Sequence, residues 1–283
     1  MAWSLQKVPE LSDEQFQKWR KLLEDRAGIC LSDQQRTFLQ THVSMRMREK
    51  GFENFEDYYD SIVDGLAGKL EWSLLIDGLV VQETQFFRHP DSYTYVEAFL
   101  NTRLNHSTSE SFDVWSVGCS SGEEPYSLAM LINNVYQTRD LPSKYAISCT
   151  DISRAALTLG RTGLYNSRKV DLVDVENRSK YFSLIDQGQY QICKTLSDRI
   201  CFSQGNVLKI NEMPKLKVDL IYCQNLLVYF RRELRENVLN AFVDRLKPGG
   251  TIVIGLGELV GWEHPSIVRV RNDAVQAYLR REQ

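Results

Sequence analysis

No apolar run in the 283-residue chain approaches the roughly 20 residues that cross a bilayer. The opening Met-Ala-Trp-Ser-Leu-Gln-Lys lacks the apolar core of a signal peptide, so the expected location is the cytoplasm. The six cysteines (30, 119, 149, 193, 201 and 223) form no Cys-x-x-Cys pair, which argues against a zinc site and a disulfide framework. A net charge of −3 excludes a globally basic nucleic-acid binder, and with only four histidines His89 alone falls near the presumed cleft. There is no Gly-Lys-Ser/Thr phosphate loop and no Gly-x-Gly-x-x-Gly dinucleotide turn. No internal repeat or low-complexity stretch interrupts a composition able to bury a large core in two or three units.

What is present centres on the stretch from Val114 to Leu128. A short apolar run (Val114 to Val117) breaks at Gly118 and Gly122, with Ser120 and Ser121 between, and then becomes an amphipathic helix. Strand, tight loop and helix in that order open a Rossmann-like sheet. Glycines let a ligand approach the backbone. The acids Glu123 and Glu124 directly after the second glycine repel a phosphate and suit a cationic or hydroxyl-rich ligand. S-adenosylmethionine is both; a plain strand-to-helix turn is the alternative.

Leu11 to about Ile76 is helical in pattern. Ser12-Asp13-Glu14-Gln15 is a capping box ahead of Phe16, Trp19, Leu22 and Leu23 at core-facing spacing. Ser32 starts a second helix with Phe38, Leu39, Val43 and Met47 inward and Arg36, His42, Arg46, Arg48 and Lys50 alongside; after Gly51, Phe55, Tyr58 and Tyr59 belong to a third. The basic helix reads as a solvated face or as a docking surface for an acidic helical partner.

From residue 81 to Pro90 a connector carries Phe86, Phe87 and Arg88, with Pro90 holding Arg88 on a bend. A helix follows over Tyr93 to Leu104. Tyr145 to Asp151 reads as a second strand ending in an acid, where Rossmann-like sites bind ribose hydroxyls; the alternative role for Asp151 is the N-cap of the next helix. Residues 165–202 break the alternation as a small antiparallel insertion. Strand signals resume at Ile200 to Val207 and Val218 to Asn225, so the crevice rule makes Asn206, Asn225 and Tyr229 site candidates. Glu233 to Leu246 reads as a helix stopped by Lys247-Pro248-Gly249-Gly250, Thr251 to Gly255 as a strand, and two last strands complete a mostly parallel seven-stranded sheet.

Four segments together resemble the CheR-type chemotaxis-receptor glutamate methyltransferases: Glu83 to Arg88, Trp115 to Ser127 with its Gly-Glu-Glu-Pro-Tyr-Ser, Cys149 to Ile152, and Cys223 to Phe230 with the trailing Leu-Lys-Pro-Gly-Gly. The resemblance covers nearly the whole chain. It implies a class I, Rossmann-like methyltransferase domain (residues 79–283) behind an all-α domain (residues 1–78) that docks substrate. It implies S-adenosylmethionine as cofactor, touched by Gln82, Thr84, Arg88, Glu123, Asp151, Asn206, Val207, Asn225 and Leu226. Asp151 would take the ribose hydroxyls, Glu123 the methionyl ammonium or the sulfonium, and Asn206 the adenine edge. Arg88 and Tyr229 are the implied catalytic pair, with the helical cytoplasmic part of methyl-accepting chemoreceptors as partner, no metal and no nucleic acid. The chain departs from the family at Gln224, where Arg usually precedes Asn, at Gly255-Leu256-Gly257-Glu258 in place of Gly-His-Ser-Glu, and at Thr84-Gln85 in place of paired Thr. A cofactor-binding regulatory module is therefore the alternative function. A small-molecule O-methyltransferase lacks an obvious base.

Overall fold

A computed structural model describes residues 10–80 and 83–282. The chain divides into two compact units, one formed by residues up to Val81 together with Tyr229–Arg231, the other by Gln82–Val228 and Arg232–Gln283.

The first unit holds α1 (Asp13–Ala27), α2 (Arg36–Glu49), α3 (Phe55–Val63) and α4 (Gly65–Leu79). Ser12 and Gln15 close the expected capping box, and Gly28 ends α1 in the left-handed conformation. Phe16, Trp19, Leu23, Leu39, Val43, Met47, Tyr58, Ile62, Leu75 and Ile76 are the buried core, each burial worth about 1.5–3 kcal/mol for a large side chain. The basic residues of α2 are largely spent inside the unit. Arg46 and Lys50 pair with Glu71, Arg46 also with Glu49, and Arg36 with Asp13. A solvated basic face waiting for an acidic partner is thus much reduced.

The second unit runs α5 (Pro90–His106), β1 (Phe112–Val117), α6 (Glu123–Thr138), β2 (Tyr145–Asp151) and α7 (Arg154–Thr162). An insertion follows: β3 (Leu164–Asn166), α8 (Ser167–Val170), α9 (Val175–Tyr181), β4 (Phe182–Asp186), β5 (Gln189–Ile192) and α10 (Lys194–Ser197). The chain then returns through β6 (Ile200–Gln204), β7 (Val218–Cys223), α11 (Arg232–Val243), β8 (Leu246–Ile254), β9 (Ile267–Arg269) and β10 (Gln276–Arg280). The main sheet has seven strands in the order β6-β2-β1-β7-β8-β10-β9, and β10 alone runs against its neighbours. The insertion forms its own antiparallel sheet, β3-β5-β4. This is a doubly wound α/β architecture with a mostly parallel seven-stranded sheet, as the resemblance implies.

One sequence expectation is corrected here. Lys247-Pro248-Gly249-Gly250 does not stop a helix: α11 ends earlier at Val243, and these four residues lie inside β8. The register to β7 slips between Val218 and Leu220, so the extra residues are absorbed as an irregularity in the ladder. The gain is electrostatic. Lys247 reaches both Asp113 and Asp219 at 2.8 Å, and Arg103 meets the other oxygen of Asp219 at 2.6 Å.

Candidate functional site

The five strands that pair in parallel, β6, β2, β1, β7 and β8, end on one rim, and the crevice there is the place such sheets bind ligands. At the first crossover the chain leaves β1 through Gly118, whose φ is 75° and where an added Cβ would sit 3.2 Å from the Leu226 side chain. Glycine is required on both counts. Ser120 follows, also at positive φ (48°), with its Oγ buried and without a hydrogen-bond partner among the described residues. A non-glycine residue held in that conformation beside an unpaired hydroxyl marks a built loop.

Asp151, at the tip of β2, fixes this loop. Its Oδ2 accepts from the Ser120 amide and its Oδ1 from the Ser153 amide, both at 2.8 Å. Asp151 is not the N-cap of α7; Ser153 is, accepting from the Ala156 amide. The half-buried carboxylate therefore faces the crevice edge with the loop drawn around it.

The two acids after Gly122 separate sharply. Glu123 is fully buried, takes a hydrogen bond from Ser121 Oγ at 2.7 Å and pairs with Lys169, so it ties α8 of the insertion to the loop. Glu124 points the other way. Ser116 Oγ on β1 donates to it at 2.7 Å, and burial pushes its carboxyl well above the ordinary range, with the like charges of Glu258 and Asp151 adding to the rise and Arg88 opposing it. Glu124, rather than Glu123, stands among the rim's charged groups. The sequence signal existed, since both acids were visible, but adjacent helix positions differ by about 100° in direction and only packing decides between them.

Asn225 closes the far side. It occupies the left-handed region (φ 59°), and its side chain pairs with His89 Nε2 at 2.9 Å. His89 thus serves the connector, whose Phe87 amide donates to Ser127 Oγ at 3.0 Å and whose Arg88 donates to the Glu83 carbonyl at 2.9 Å. Gln224, set in the place of an arginine, is buried and donates to Ser92 Oγ at 2.9 Å. Asn206 caps the turn Val207–Glu212 through the Leu208 amide, and Val207 is buried. Thr84 is half-buried in the connector. Gln82 lies outside the described residues. Tyr229 groups with the first unit, where its carbonyl accepts from the Cys30 amide at 2.9 Å.

The residue chemistry fits S-adenosylmethionine. Carboxyls at Asp151 and Glu124 answer ribose hydroxyls and positive charge, the unpartnered Ser120 hydroxyl and the amides around it offer polar contacts, and Asn206 and Asn225 carry amides just past the ends of β6 and β7. A phosphate would meet the carboxyls of Asp151 and Glu124 here, which disfavours it. No group of three or more metal-binding side chains occurs among the described residues.

Comparison with known proteins gives the same answer. Residues 82–275 match the S-adenosylmethionine-binding domain of the CheR methyltransferases, and residues 14–80 match the all-α domain of the same proteins. Chemotaxis protein methyltransferase 2 of Vibrio cholerae is 30% identical over 250 residues, covering 88% of this chain and 86% of that protein. The chemotaxis protein methyltransferase of Borreliella burgdorferi is 27% identical over 88% of this chain and 89% of its own length, and that of Escherichia coli K12 is 28% identical over 88% and 85%. With both domain matches in order along one sheet-and-bundle chain, this protein belongs to the CheR methyltransferase family and uses S-adenosylmethionine as its cofactor.

Proposed function

We propose that the protein transfers a methyl group from S-adenosylmethionine to glutamate side-chain carboxylates of methyl-accepting chemotaxis receptors, a protein-glutamate O-methyltransferase acting in the cytoplasm. The observation that carries this reading is the rim cluster of Asp151, Glu124 and Arg88 at the β1–β2 crossover in a chain of this family. When bound, S-adenosylmethionine supplies a methyl group on a positive sulfonium, ready for displacement. The acceptor needs no general base, because a glutamate carboxylate with a reference pKa of about 4.3 is already ionised near neutrality.

The protein's own work is then binding and orientation, which can supply about 7–11 kcal/mol. Asp151, Asn206, Val207, Asn225, Leu226 and Thr84 are assigned to the cofactor, with Glu124 taking the role first given to Glu123. Arg88 orients the acceptor carboxylate or the carboxyl end of the cofactor, and Tyr229 is assigned a hydrogen bond beside the methyl path. Residues 1–78 form the substrate-docking domain and residues 79–283 the transferase domain, with the partner being the helical cytoplasmic part of the receptor.

Methyl-tritiated S-adenosylmethionine incubated with the protein and receptor-containing membranes tests this. Base-labile label released as methanol from the receptor band is the expected result. Label in small molecules would overturn the substrate assignment, and no transfer despite cofactor binding would leave a regulatory module.

A further inference from the structure

Glu258 lies in none of the assigned roles, yet it is one of the most enclosed carboxyls in the second unit, at 3% exposure. It belongs to the Gly255-Leu256-Gly257-Glu258 segment just past β8. The two positions where that segment departs from the family are open: Leu256 is 64% exposed, and a Cβ on Gly257 would meet nothing within 4 Å. The two that are kept are mutually dependent. The Gly255 amide donates to Glu258 Oε2 at 2.9 Å, and a Cβ on Gly255 would come 2.7 Å from the Glu258 Cδ, so only glycine leaves room for this carboxyl.

Through Arg235, which donates to the carbonyls of both Glu258 and Val228, the Glu258 segment is tied to the chain beyond β7. Burial raises the pKa of the Glu258 carboxyl, and what opposes the rise is the Gly255 amide, then the Val228 amide, the Arg235 guanidinium and the Leu227 amide. Leu227 begins the short turn directly after Asn225 and Leu226. Arg235 on α11 holds the same turn from outside, donating to the Glu258 carbonyl at 2.6 Å and to the Val228 carbonyl at 3.2 Å. The held residues are Asn225, in the left-handed region with its His89 bond, and Leu226, pressed against Gly118. Oε1 of Glu258 is buried without a partner that meets hydrogen-bond geometry among the described residues, a cost that a purely packing side chain would not carry.

We infer that Glu258 is a positioning residue for methyl transfer: with Gly255 and Arg235 it clamps the Leu227–Val228 turn and so sets Asn225 and Leu226 against the glycine loop. The inference rests on the assignment of Asn225 and Leu226 to the cofactor. A left-handed asparagine relaxes readily unless its surroundings over-determine it, and the clamp supplies that constraint.

The test is steady-state methyl transfer and calorimetric cofactor binding on Glu258→Gln, which keeps the shape and loses the charge, on Asn225→Ala, and on the double variant. Expected is a rise of about tenfold in Kd and KM for S-adenosylmethionine in Glu258→Gln, an unchanged KM for the receptor, and a clearly smaller further effect of Glu258→Gln in the Asn225→Ala background, as coupled neighbours show. Additive losses in the double variant, or an unchanged Kd in Glu258→Gln, overturn the inference. An Asn225→Ala protein with wild-type cofactor affinity refutes instead the assignment beneath it. Should Glu258→Gln fail to fold, Arg235→Gln at its half-buried position loosens the same turn, with a several-fold rise in cofactor KM expected and no rise counting against the clamp.

Discussion

The two ends of the main sheet treat buried acids in opposite ways. At the amino end Asp219, 1% exposed, is saturated: Arg103 on one oxygen, Lys247 and the Asp113 amide on the other. At the carboxyl end, among the described residues, Ser116 Oγ donates to Glu124, Glu258 has one oxygen without a hydrogen-bond partner, and Asp151 accepts from two loop amides. Both ends bury charge. The amino end neutralises it with Arg103 and Lys247, whereas at the carboxyl end burial raises the pKa of Glu124 and of Glu258. The saturated cluster serves the fold, and the rim cluster is the one proposed to meet the cofactor.

Substitutions at the two ends should separate accordingly. Asp219→Ala strands Arg103, leaves Lys247 to Asp113 alone and should cost about 3 kcal/mol, or roughly 6–12 °C in Tm for a chain of this size, while the surviving folded protein keeps its cofactor affinity. Calorimetric unfolding and titration read the two parts; a large loss of affinity would merge the ends. Asp151→Ala should do the reverse, weakening S-adenosylmethionine binding by about 100-fold, equivalent to about 2.7 kcal/mol, with far less effect on folding. Wild-type affinity in a titration would remove Asp151 from the site.

Arg88→Ala sharpens the distinction within the rim. Transfer should fall on the order of 100-fold, as misplacement of reacting groups does, with cofactor affinity changed by only a few-fold. Equal losses in both would make Arg88 a cofactor ligand alone. The smallest expected effect is a pH dependence. Glu124 has its folded pKa raised above the unfolded value, so the native state keeps a proton that the unfolded state has lost. Stability therefore declines as pH climbs from the unfolded pKa through the folded one, and the cost is fully present above it. Glu124→Gln should match wild type at the acid end of that window and exceed it in Tm above it. A difference in Tm independent of pH would contradict the assignment.

Much of this was legible in the residues. The β1–loop–α6 unit announced itself because an apolar run, two glycines and an amphipathic stretch are all local signals. The capping box at Ser12 and the antiparallel insertion were equally local. What escaped depends on tertiary placement. Glu123 and Glu124 are equivalent as letters, and Lys169 from the insertion decides which one turns inward. Lys247 to Gly250 reads as a helix stop until β7 pairs beside it and Asp219 claims the lysine. The basic face of α2 looked available because Glu71, its main neutraliser, lies 25 residues away from Arg46. Helices α8, α9 and α10, of four to seven residues, are too short for any periodicity to declare them.

The most direct measurement is calorimetric titration of S-adenosylmethionine into wild type, Asp151→Asn and Asp219→Asn proteins under one condition. The account predicts one cofactor per chain in wild type, binding severely weakened by Asp151→Asn and retained in Asp219→Asn. Undiminished binding in Asp151→Asn, or loss of binding only in Asp219→Asn, would contradict the placement of the methyl-donor site at the carboxyl rim.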